Sequence, residues 1–239
     1  MKTIAYIPAR LHSTRFPKKI LENLQGKPLL AWAYENAVKA EVFDEVIILA
    51  DDSVTMDLAK NLKAKAVFTS DRPKNGTQRI IEALEAGAPV AERIVNVQAD
   101  EPLLNKKIFT TLLSGSGSGT RMWTLKKKIT TSEELSSPNV VKVVTNVYGE
   151  ALYFSRSCIP FDREKRGVEV FKHVGLYAYT PDALKKIASF PTCPLEESEF
   201  LEQLTPLYHG IPIEVLTTEE TIHGVDTLED LIALESAIN

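Results

Sequence analysis

The sequence of 239 residues has little cysteine and no long apolar run. Its two cysteines, Cys158 and Cys193, give neither a disulfide framework nor the spacing of metal ligands. No apolar stretch approaches about 18 residues, so no transmembrane helix is predicted. The first residues lead directly into a strand-like segment and show no signal-peptide pattern. These absences together predict a protein of the reducing cytoplasm that has no membrane partner.

The chain also lacks an excess of positive charge and a Walker-type glycine loop. Its formal net charge is −4 and its pI is about 5.7. Nucleic acid is therefore not an expected partner, because no broad basic stripe is available to neutralise a phosphate backbone. The missing glycine loop disfavours a P-loop nucleotide hydrolase. Hydrophobic residues at 44% and charged residues at 25% are ordinary for a globular protein with a sizeable core.

Strand-like and helix-like segments alternate through the first half of the chain. Apolar runs predict strands at 3–7, 45–50, 66–68 and 94–98, and helices at 28–40, 54–63 and 78–86 lie between them. This alternation predicts βαβ units with a mostly parallel sheet. After a Ser/Gly run at 114–119 the pattern predicts a hairpin at 140–155, strands at 174–179 and 213–216, and helices at 181–189, at 194–208 with a disturbance at Pro206, and at 227–238.

A basic loop follows the first strand. Four cations fall within ten residues, bracketed by Pro8 and Pro17: Arg10, Arg15, Lys18 and Lys19. The prolines oppose helix, and ligands of open α/β sheets bind at the carboxyl ends of the strands. Cations placed there suit a ligand with several phosphate groups. Taken alone, the charges fit a solvated connecting loop at least as well.

Two aspartates are candidates for binding a hard cation. Asp100 follows the strand that ends near Gln98, and Asp226 precedes the closing helix. Carboxylate oxygens at such positions can hold Mg²⁺ beside phosphates. Aspartate is also a common turn or cap residue at these places. The two lie far apart along the chain, so their spacing does not show whether they meet.

Ordered motifs along nearly the whole chain resemble those of the sugar nucleotidyltransferases, and most closely the 3-deoxy-manno-octulosonate (Kdo) cytidylyltransferase, or CMP-Kdo synthetase, family. The matching segments are Pro8-Ala9-Arg10, 13–17 with Lys19, 26–29, 76–79, 98–102, 153–156, 172–177, 201–204 and 224–227. The resemblance implies a Rossmann-like nucleotidyltransferase α/β fold, with a mostly parallel central sheet flanked by helices and a smaller mixed β/α subregion. It implies one domain over 1–239, with a nucleotide-binding half at about 1–113 and a half for sugar binding, metal completion and dimerisation at about 120–239.

The same resemblance implies the roles of individual residues. The expected catalytic residues are Arg10, Arg15, Lys19, Asp100 and Asp226, of which the two aspartates would hold Mg²⁺. The expected nucleotide-binding residues are Pro8, Ala9, Arg10, Ser13, Lys19, Gly76, Thr77 and Arg79. The expected sugar-binding residues are Gln98, Arg156, His173, Tyr177, Glu202 and Gln203. Taken singly, Gly76 fits a helix-starting turn, His173 a structural histidine, and Glu202 with Gln203 the wet face of a helix.

The implied activity is Mg²⁺-dependent transfer of a cytidylyl group from CTP to Kdo, giving CMP-Kdo and pyrophosphate for lipopolysaccharide synthesis. A cytoplasmic homodimer is expected to carry it out. Three positions depart from the family pattern: Gln78 replaces an acid, Ala99 a glycine and Glu197 a histidine. A related sugar acid such as an 8-amino analogue of Kdo therefore stays an alternative substrate, and a catalytically silent nucleotide-binding regulator on the same fold stays an alternative function.

Overall fold

The computed structural model describes residues 1–11, 16–117 and 119–238. It contains two compact units. The first consists of Met1–Thr110 and Thr221–Asn239, and the second of Thr111–Glu220. The second unit is thus inserted into the first along the chain. Across the described residues, none of the helices is both long and apolar enough to cross a membrane.

The strands and helices follow the chain in a regular alternation at first and a less regular one later. The strands are β1 (Thr3–Ala9), β2 (Asn23–Leu24), β3 (Lys27–Pro28), β4 (Glu45–Ala50), β5 (Lys65–Phe68), β6 (Arg93–Asn96), β7 (Met122–Lys128), β8 (Lys142–Thr145), β9 (Ala151–Ser155), β10 (Phe171–Tyr179) and β11 (Ile213–Thr217). The helices are α1 (Leu29–Lys39), α2 (Ser53–Asn61), α3 (Gly76–Glu85), α4 (Lys106–Leu113), α5 (Ser132–Ser136), α6 (Pro181–Ser189), α7 (Pro194–Glu199), α8 (Leu204–Tyr208) and α9 (Leu228–Ile238), with a short 3-10 helix at Lys19–Leu21.

The first unit contains a fully parallel sheet in the order β6–β1–β4–β5. β1 is the centre of this sheet, and Ile4 to Ile7 have no exposed surface, as expected of a strand covered on both faces. Ala9 of β1 pairs with Ala50 of β4, so the loops that follow these two strands leave the sheet side by side. The predicted alternation and parallel sheet are confirmed.

The closing helix α9 belongs to the core of the first unit. Leu231 and Leu234 of this helix form a buried cluster with Val225, Leu24 and Leu29. The segment that carries Asp226 is therefore fixed to the first unit at both ends, by Val225 before it and by α9 after it.

The second unit contains a mixed sheet in the order β11–β7–β10–β8–β9. β7 and β11 are parallel, whereas β10 is antiparallel to β7 and β8, and β8 is antiparallel to β9. The predicted β8–β9 hairpin is confirmed, with Gly149 at φ +77° in its turn. The sequence did not predict β7, because its buried Met122 to Leu125 are followed by three lysines that look like loop.

Residues 194–208 do not form the single helix, disturbed at Pro206, that the sequence predicted. α7 ends at Glu199 because Phe200 adopts the left-handed conformation, with φ 53°. α8 then starts at Leu204, and Pro206 lies in its first turn, where a backbone N–H has no partner within the helix. The break is therefore at Phe200, and Pro206 is compatible with α8.

Candidate active site

The basic loop is anchored at its base in the first unit. Lys18 N donates to the carbonyl of Leu11 at 3.1 Å, and Leu11 N donates to Asp51 Oδ1 at 3.2 Å, beyond the end of β4. Arg10 is exposed, and its guanidinium donates to the carbonyl of Lys74 at 3.3 Å. The predicted residues Ser13 and Arg15 lie outside the described part of the chain.

Lys19 joins the two predicted metal-binding aspartates. Its Nζ forms an ion pair with Asp100 Oδ2 and a second one, at 3.0 Å, with Asp226 Oδ1. Val225 N donates to the carbonyl of Asp100 at 2.9 Å, so the backbones of the two segments are joined as well. The Lys19 side chain is only 13% exposed. The expected convergence of two carboxylates that are distant in sequence is confirmed.

The charges of this cluster shift the pKa values of its members. Burial alone would lower the pKa of Lys19, but the ion pairs with Asp100 and Asp226 outweigh it and raise the pKa above its ordinary value. Lys19 is therefore a permanent cation. Burial, assisted by the negative charges of Asp100 and Asp226, raises the pKa of Glu101 to about 8. Glu101 Oε2 is buried and has no hydrogen-bond partner among the described residues, in keeping with a neutral carboxyl group.

Thr227 and Asp230 cap the start of the closing helix. Asp230 Oδ2 accepts from Asp226 N at 3.0 Å and from Thr227 N at 2.9 Å, while Thr227 Oγ1 accepts from Asp230 N at 3.2 Å. This is a capping box with Asp in place of Glu. The Asp226 carboxylate, which precedes this cap, contacts Lys19.

The donor set at this cluster fits Mg²⁺ held jointly with phosphate oxygens. Two carboxylates that contact one ammonium group are close enough to share one cation. Mg²⁺ in nucleotide enzymes is commonly bound by one or two carboxylates together with substrate phosphates and water. Within the described residues, no group of three or more His, Cys, Asp and Glu side chains is arranged to hold a metal by itself. The residues thus match a metal that arrives with a nucleotide.

Two residues of the expected nucleotide site, Gly76 and Pro8, pack together with Asn96 in the first unit. A Cβ atom at Gly76 would lie 3.0 Å from Asn96 Nδ2 and 3.2 Å from Pro8 Cγ, so a larger residue would push this turn away from β1 and β6. Asn96 is fully buried, and its Nδ2 has no hydrogen-bond partner among the described residues. The sequence argument missed Asn96. A polar residue in an otherwise apolar strand end was the available signal.

Arg79 holds the ends of β4 and β5 to α3. Its guanidinium pairs with Asp51 Oδ2 at 2.9 Å and donates to Thr69 Oγ1 at 2.6 Å and to the carbonyl of Ser70 at 2.9 Å. The Arg79 side chain is 2% exposed, so this pair is buried. Asp51, which the sequence argument did not select, also accepts from Leu11 N and thereby ties Arg79 to the basic loop. A nucleotide contact of Arg79 stays a prediction.

Two of the three departures from the family pattern have local explanations. Asn75 Oδ1 accepts from Gln78 N at 2.8 Å, and Gln78 Oε1 accepts from Lys74 N at 2.8 Å. At the start of α3, the Gln78 amide oxygen therefore accepts a hydrogen bond that a carboxylate at this position could also accept. Ala99 is buried without adopting a positive φ, so its methyl group causes no backbone strain.

Arg156 lies at the end of β9 in the second unit and is held by backbone carbonyls. Its Nε donates to Glu199 O at 2.7 Å, and its terminal nitrogens donate to Pro138 O at 3.0 Å and Phe200 O at 3.4 Å. Among the described residues, these bonds account for three of its five N–H groups. The Glu199 carboxylate accepts from Arg156 N at 2.9 Å and from Ser155 Oγ at 2.6 Å. Glu199, which was not predicted, thus fixes the direction in which Arg156 leaves the strand.

His173 and Tyr177 lie on β10, where their rings approach to 5.4 Å between centroids. Residues four apart on a regular strand are about 13 Å apart. An irregularity in the β7–β10 pairing between Val174 and Ala178 shortens this distance. His173 Nε2 lies 3.0 Å from Thr124 Oγ1 of β7. Burial lowers the pKa of His173 to about 3, so its imidazole is neutral.

Glu202 and Gln203 lie between α7 and α8 and not on the wet face of a helix. Gln203 is 3% exposed, and its Nε2 has no hydrogen-bond partner in the described part of the chain. The solvent-facing interpretation is therefore wrong for Gln203. Gln98 belongs to the first unit, where its Nε2 donates to Asn96 Oδ1 at 3.4 Å. The roles of these residues in sugar binding stay predictions.

Comparison with known sequences gives one family. The model described as cytidylyltransferase matches residues 4–220. A 3-deoxy-manno-octulosonate cytidylyltransferase of Thermodesulfovibrio yellowstonii is 41% identical over 252 residues, covering 100% of this chain and 99% of its own. A protein of the same name from Solibacter usitatus is 44% identical over 233 residues, covering 96% of this chain and 92% of its own.

Solved structures give the same fold. The structure of a CMP:2-keto-3-deoxy-manno-octonic acid synthetase complexed with CTP matches with a TM-score of 0.93 at 34% identity, covering 100% of this chain and 98% of that one. A cytidylyltransferase from Leptospira borgpetersenii matches with a TM-score of 0.63 at 19% identity, covering 100% of this chain and 87% of that one, and shares the fold. The predicted Rossmann-like nucleotidyltransferase fold is confirmed.

Proposed function

Because the chain belongs to the cytidylyltransferase family, and within it to the 3-deoxy-manno-octulosonate cytidylyltransferases, we propose that it transfers a cytidylyl group from CTP to Kdo. The products are CMP-Kdo and pyrophosphate. The observation that carries the proposal is the contact of Lys19 with both Asp100 and Asp226. A cation and two acids brought together beyond the strand ends of a parallel sheet match the needs of a metal-bound triphosphate.

The proposed reaction is a displacement at the α-phosphorus of CTP. The anomeric hydroxyl of Kdo attacks, its oxygen forms the new P–O bond and its proton is released to water, and the bond to pyrophosphate breaks in line with the new bond. Lys19 is permanently charged and suits the negative charge that develops near the leaving group. Mg²⁺ at Asp100 and Asp226 would supply charge neutralisation of the triphosphate. Catalysis is then mainly positioning and electrostatic stabilisation.

The sugar acid is assigned to residues of the second unit. Arg156 has a guanidinium that reads carboxylates bidentately, and three of its donors are already held by carbonyls. His173 and Tyr177 lie beside each other, and His173 is neutral. Glu202 and Gln203 supply polar groups for sugar hydroxyls.

We further propose that the active protein is a cytoplasmic homodimer whose product feeds lipopolysaccharide synthesis. Support for a partner surface comes from large apolar side chains left exposed on the β8–β9 hairpin: Val147 at 92%, Tyr148 at 81% and Leu152 at 60%. Sedimentation of the full chain, compared with Tyr148→Ser, tests this part. A monomer at micromolar concentration would contradict it.

A pyrophosphate-release assay tests the activity. We expect release with CTP, Kdo and Mg²⁺, and its loss when EDTA removes the metal or when ATP, GTP or UTP replaces CTP. Equal rates with Kdo and its 8-amino analogue would show that the departures, Glu197 among them, broaden the choice of sugar. Absence of release with every sugar acid would favour the silent regulator and sink the proposal.

A further inference from the structure

The irregular part of β10 is organised around one hydroxyl group. In the pairing of β10 with β7, Val174 lies opposite Leu125 and Ala178 lies opposite Trp123. An advance of four residues along β10 therefore corresponds to two residues along β7. Thr124 lies at the centre of this mismatch and is fully buried. Its Oγ1 is 3.0 Å from the carbonyl oxygens of Val174 and Leu176, and also 3.0 Å from His173 Nε2.

The number of available hydrogens limits how Thr124, the two carbonyls and His173 can bond to one another. A threonine hydroxyl has one hydrogen to donate, and a carbonyl oxygen can only accept. If Thr124 donates to Val174 O or Leu176 O and accepts from His173 Nε2–H, the hydroxyl makes two hydrogen bonds within this group. If it donates to an unprotonated Nε2 instead, it makes only one, because the carbonyls have no hydrogen to give back. The arrangement with two hydrogen bonds is favoured, and in it His173 Nε2 carries a hydrogen.

A neutral imidazole carries one N–H, so the position of that hydrogen determines the other nitrogen. Burial keeps His173 uncharged, with its pKa lowered to about 3. The ring is further confined by the edge of Phe154 at 5.0 Å and by Tyr177 at 5.4 Å. Directly across the sheet, Lys126 opposes His173, and a second positive charge on the ring would be repelled. With Nε2 protonated, Nδ1 keeps its lone pair.

We propose that Thr124 is a positioning residue that holds His173 as the Nε2–H tautomer, so that Nδ1 accepts a hydrogen bond from a hydroxyl group of the sugar substrate. The identity of the ligand rests on the proposed function, whereas the tautomer does not. An acceptor at this place selects for a donating hydroxyl and disfavours an ether or carbonyl oxygen there. No pattern in the sequence marks Thr124, because the pairing irregularity that exposes two carbonyls to it is a tertiary feature.

Nitrogen NMR of protein labelled with ¹⁵N-histidine tests the tautomer directly. The sequence has four histidines, and the signals lost in His173→Gln identify this one. We expect a protonated Nε2 and an unprotonated Nδ1 for His173 at neutral pH. A ring protonated at Nδ1, or at both nitrogens, would overturn the proposal whether or not the protein turns over Kdo.

Two substitutions at Thr124 test the consequence for the sugar. Thr124→Ser keeps the hydroxyl and is expected to keep the tautomer and the KM for Kdo. Thr124→Val removes it, and we expect a rise of about 2- to 10-fold in the KM for Kdo, the range of one neutral hydrogen bond, with an unchanged KM for CTP.

Loss of the tautomer in Thr124→Ser, or an unchanged KM for Kdo in folded Thr124→Val, would contradict the assignment. If Thr124→Val does not fold, the wild-type and Thr124→Ser spectra decide. If the wild-type protein releases no pyrophosphate, the proposed function is contradicted, whereas the tautomer of His173 is still decided by the NMR spectra.

Discussion

The two units hold their candidate polar groups in opposite ways. In the first unit cations are held by anions, as in Lys19 with Asp100 and Asp226 and in the buried pair of Arg79 and Asp51. In the second unit two cations, Arg156 and Lys142, are held by neutral carbonyls. Three carbonyls surround the Arg156 guanidinium, and three more, those of Ser137, Val140 and Arg156, surround the buried Lys142 ammonium at 2.7–2.9 Å.

The difference indicates that a ligand would have to replace existing ionic contacts at Lys19 but not at Arg156. At Lys19 one cation is paired with two acids, so under the proposed function a metal-bound triphosphate would have to exchange these contacts for its own. At Arg156 the carbonyls fix the geometry without forming an ion pair with the guanidinium, so under the proposed function an anionic sugar would meet a preorganised partner. We therefore expect substitutions in the first unit to act on the rate of the chemical step and those in the second on the affinity for sugar.

The largest effect is expected from Asp100→Asn, which removes one of the two negative charges around Lys19. Loss of a charge-stabilising metal ligand commonly costs several kcal/mol, so kcat for pyrophosphate release should fall by about 10³-fold or more. The unfolding midpoint in urea should change little, because Asp226 still pairs with Lys19. Asp57→Asn, on the exposed side of α2, is the matched control. A nearly normal kcat would remove the metal assignment.

Arg156→Ala tests the other side of the comparison. Removal of a guanidinium that pairs with the sugar carboxylate should raise the KM for Kdo by about 10- to 100-fold, the range of a charge-assisted hydrogen bond, with little effect on the KM for CTP. Steady-state kinetics with each substrate varied in turn measures this, with exposed Arg163→Ala as control. A larger effect on CTP than on Kdo would move Arg156 from the sugar site to the nucleotide site.

The pH dependence of stability tests whether His173 is held neutral. Its pKa is lowered from 6.5 to about 3 on folding. Between these values the unfolded chain binds a proton that the folded chain does not. The free energy of unfolding should therefore decrease as the pH falls below 6.5, by at most about 1.4 kcal/mol per pH unit from this residue. Urea unfolding of wild type and His173→Gln over this range gives the difference, and identical slopes would show that His173 is not the cause.

The smallest effect is expected from Glu199→Gln. The amide keeps one acceptor but places an NH2 group where the carboxylate accepts from Ser155 Oγ or Arg156 N. The loss of one hydrogen bond should lower the free energy of unfolding by about 1 kcal/mol and raise the KM for Kdo a few-fold, since Arg156 loses its support. Exposed Glu219→Gln provides the comparison. Unchanged sugar kinetics would confine Glu199 to a role in stability.

Much of the first unit could be predicted from local pattern, because buried parallel strands read as apolar runs and helix starts carry cap residues. Thr227 with Asp230 is an example, and the meeting of Asp100 with Asp226 followed from family motifs. The contacts that hold the site could not be predicted in this way. Asp51, Thr124 and Glu199 bond to residues far away in the sequence, and the left-handed Phe200 that ends α7 has no local signal such as glycine. Pro206 was misleading, since proline disrupts a helix interior but not its first turn.

The return of the chain to its first unit has a consequence for biosynthesis. During translation, Lys19 and Asp100 emerge early from the ribosome. Residues 221–238 include Asp226 and α9, and they emerge only after the entire inserted unit. The inserted unit is continuous and can acquire its structure while the surrounding one still waits for its last segment. A premature stop near residue 220 would thus leave a nearly full-length product that lacks both Asp226 and the core contacts of α9, so the last residues are not a dispensable tail.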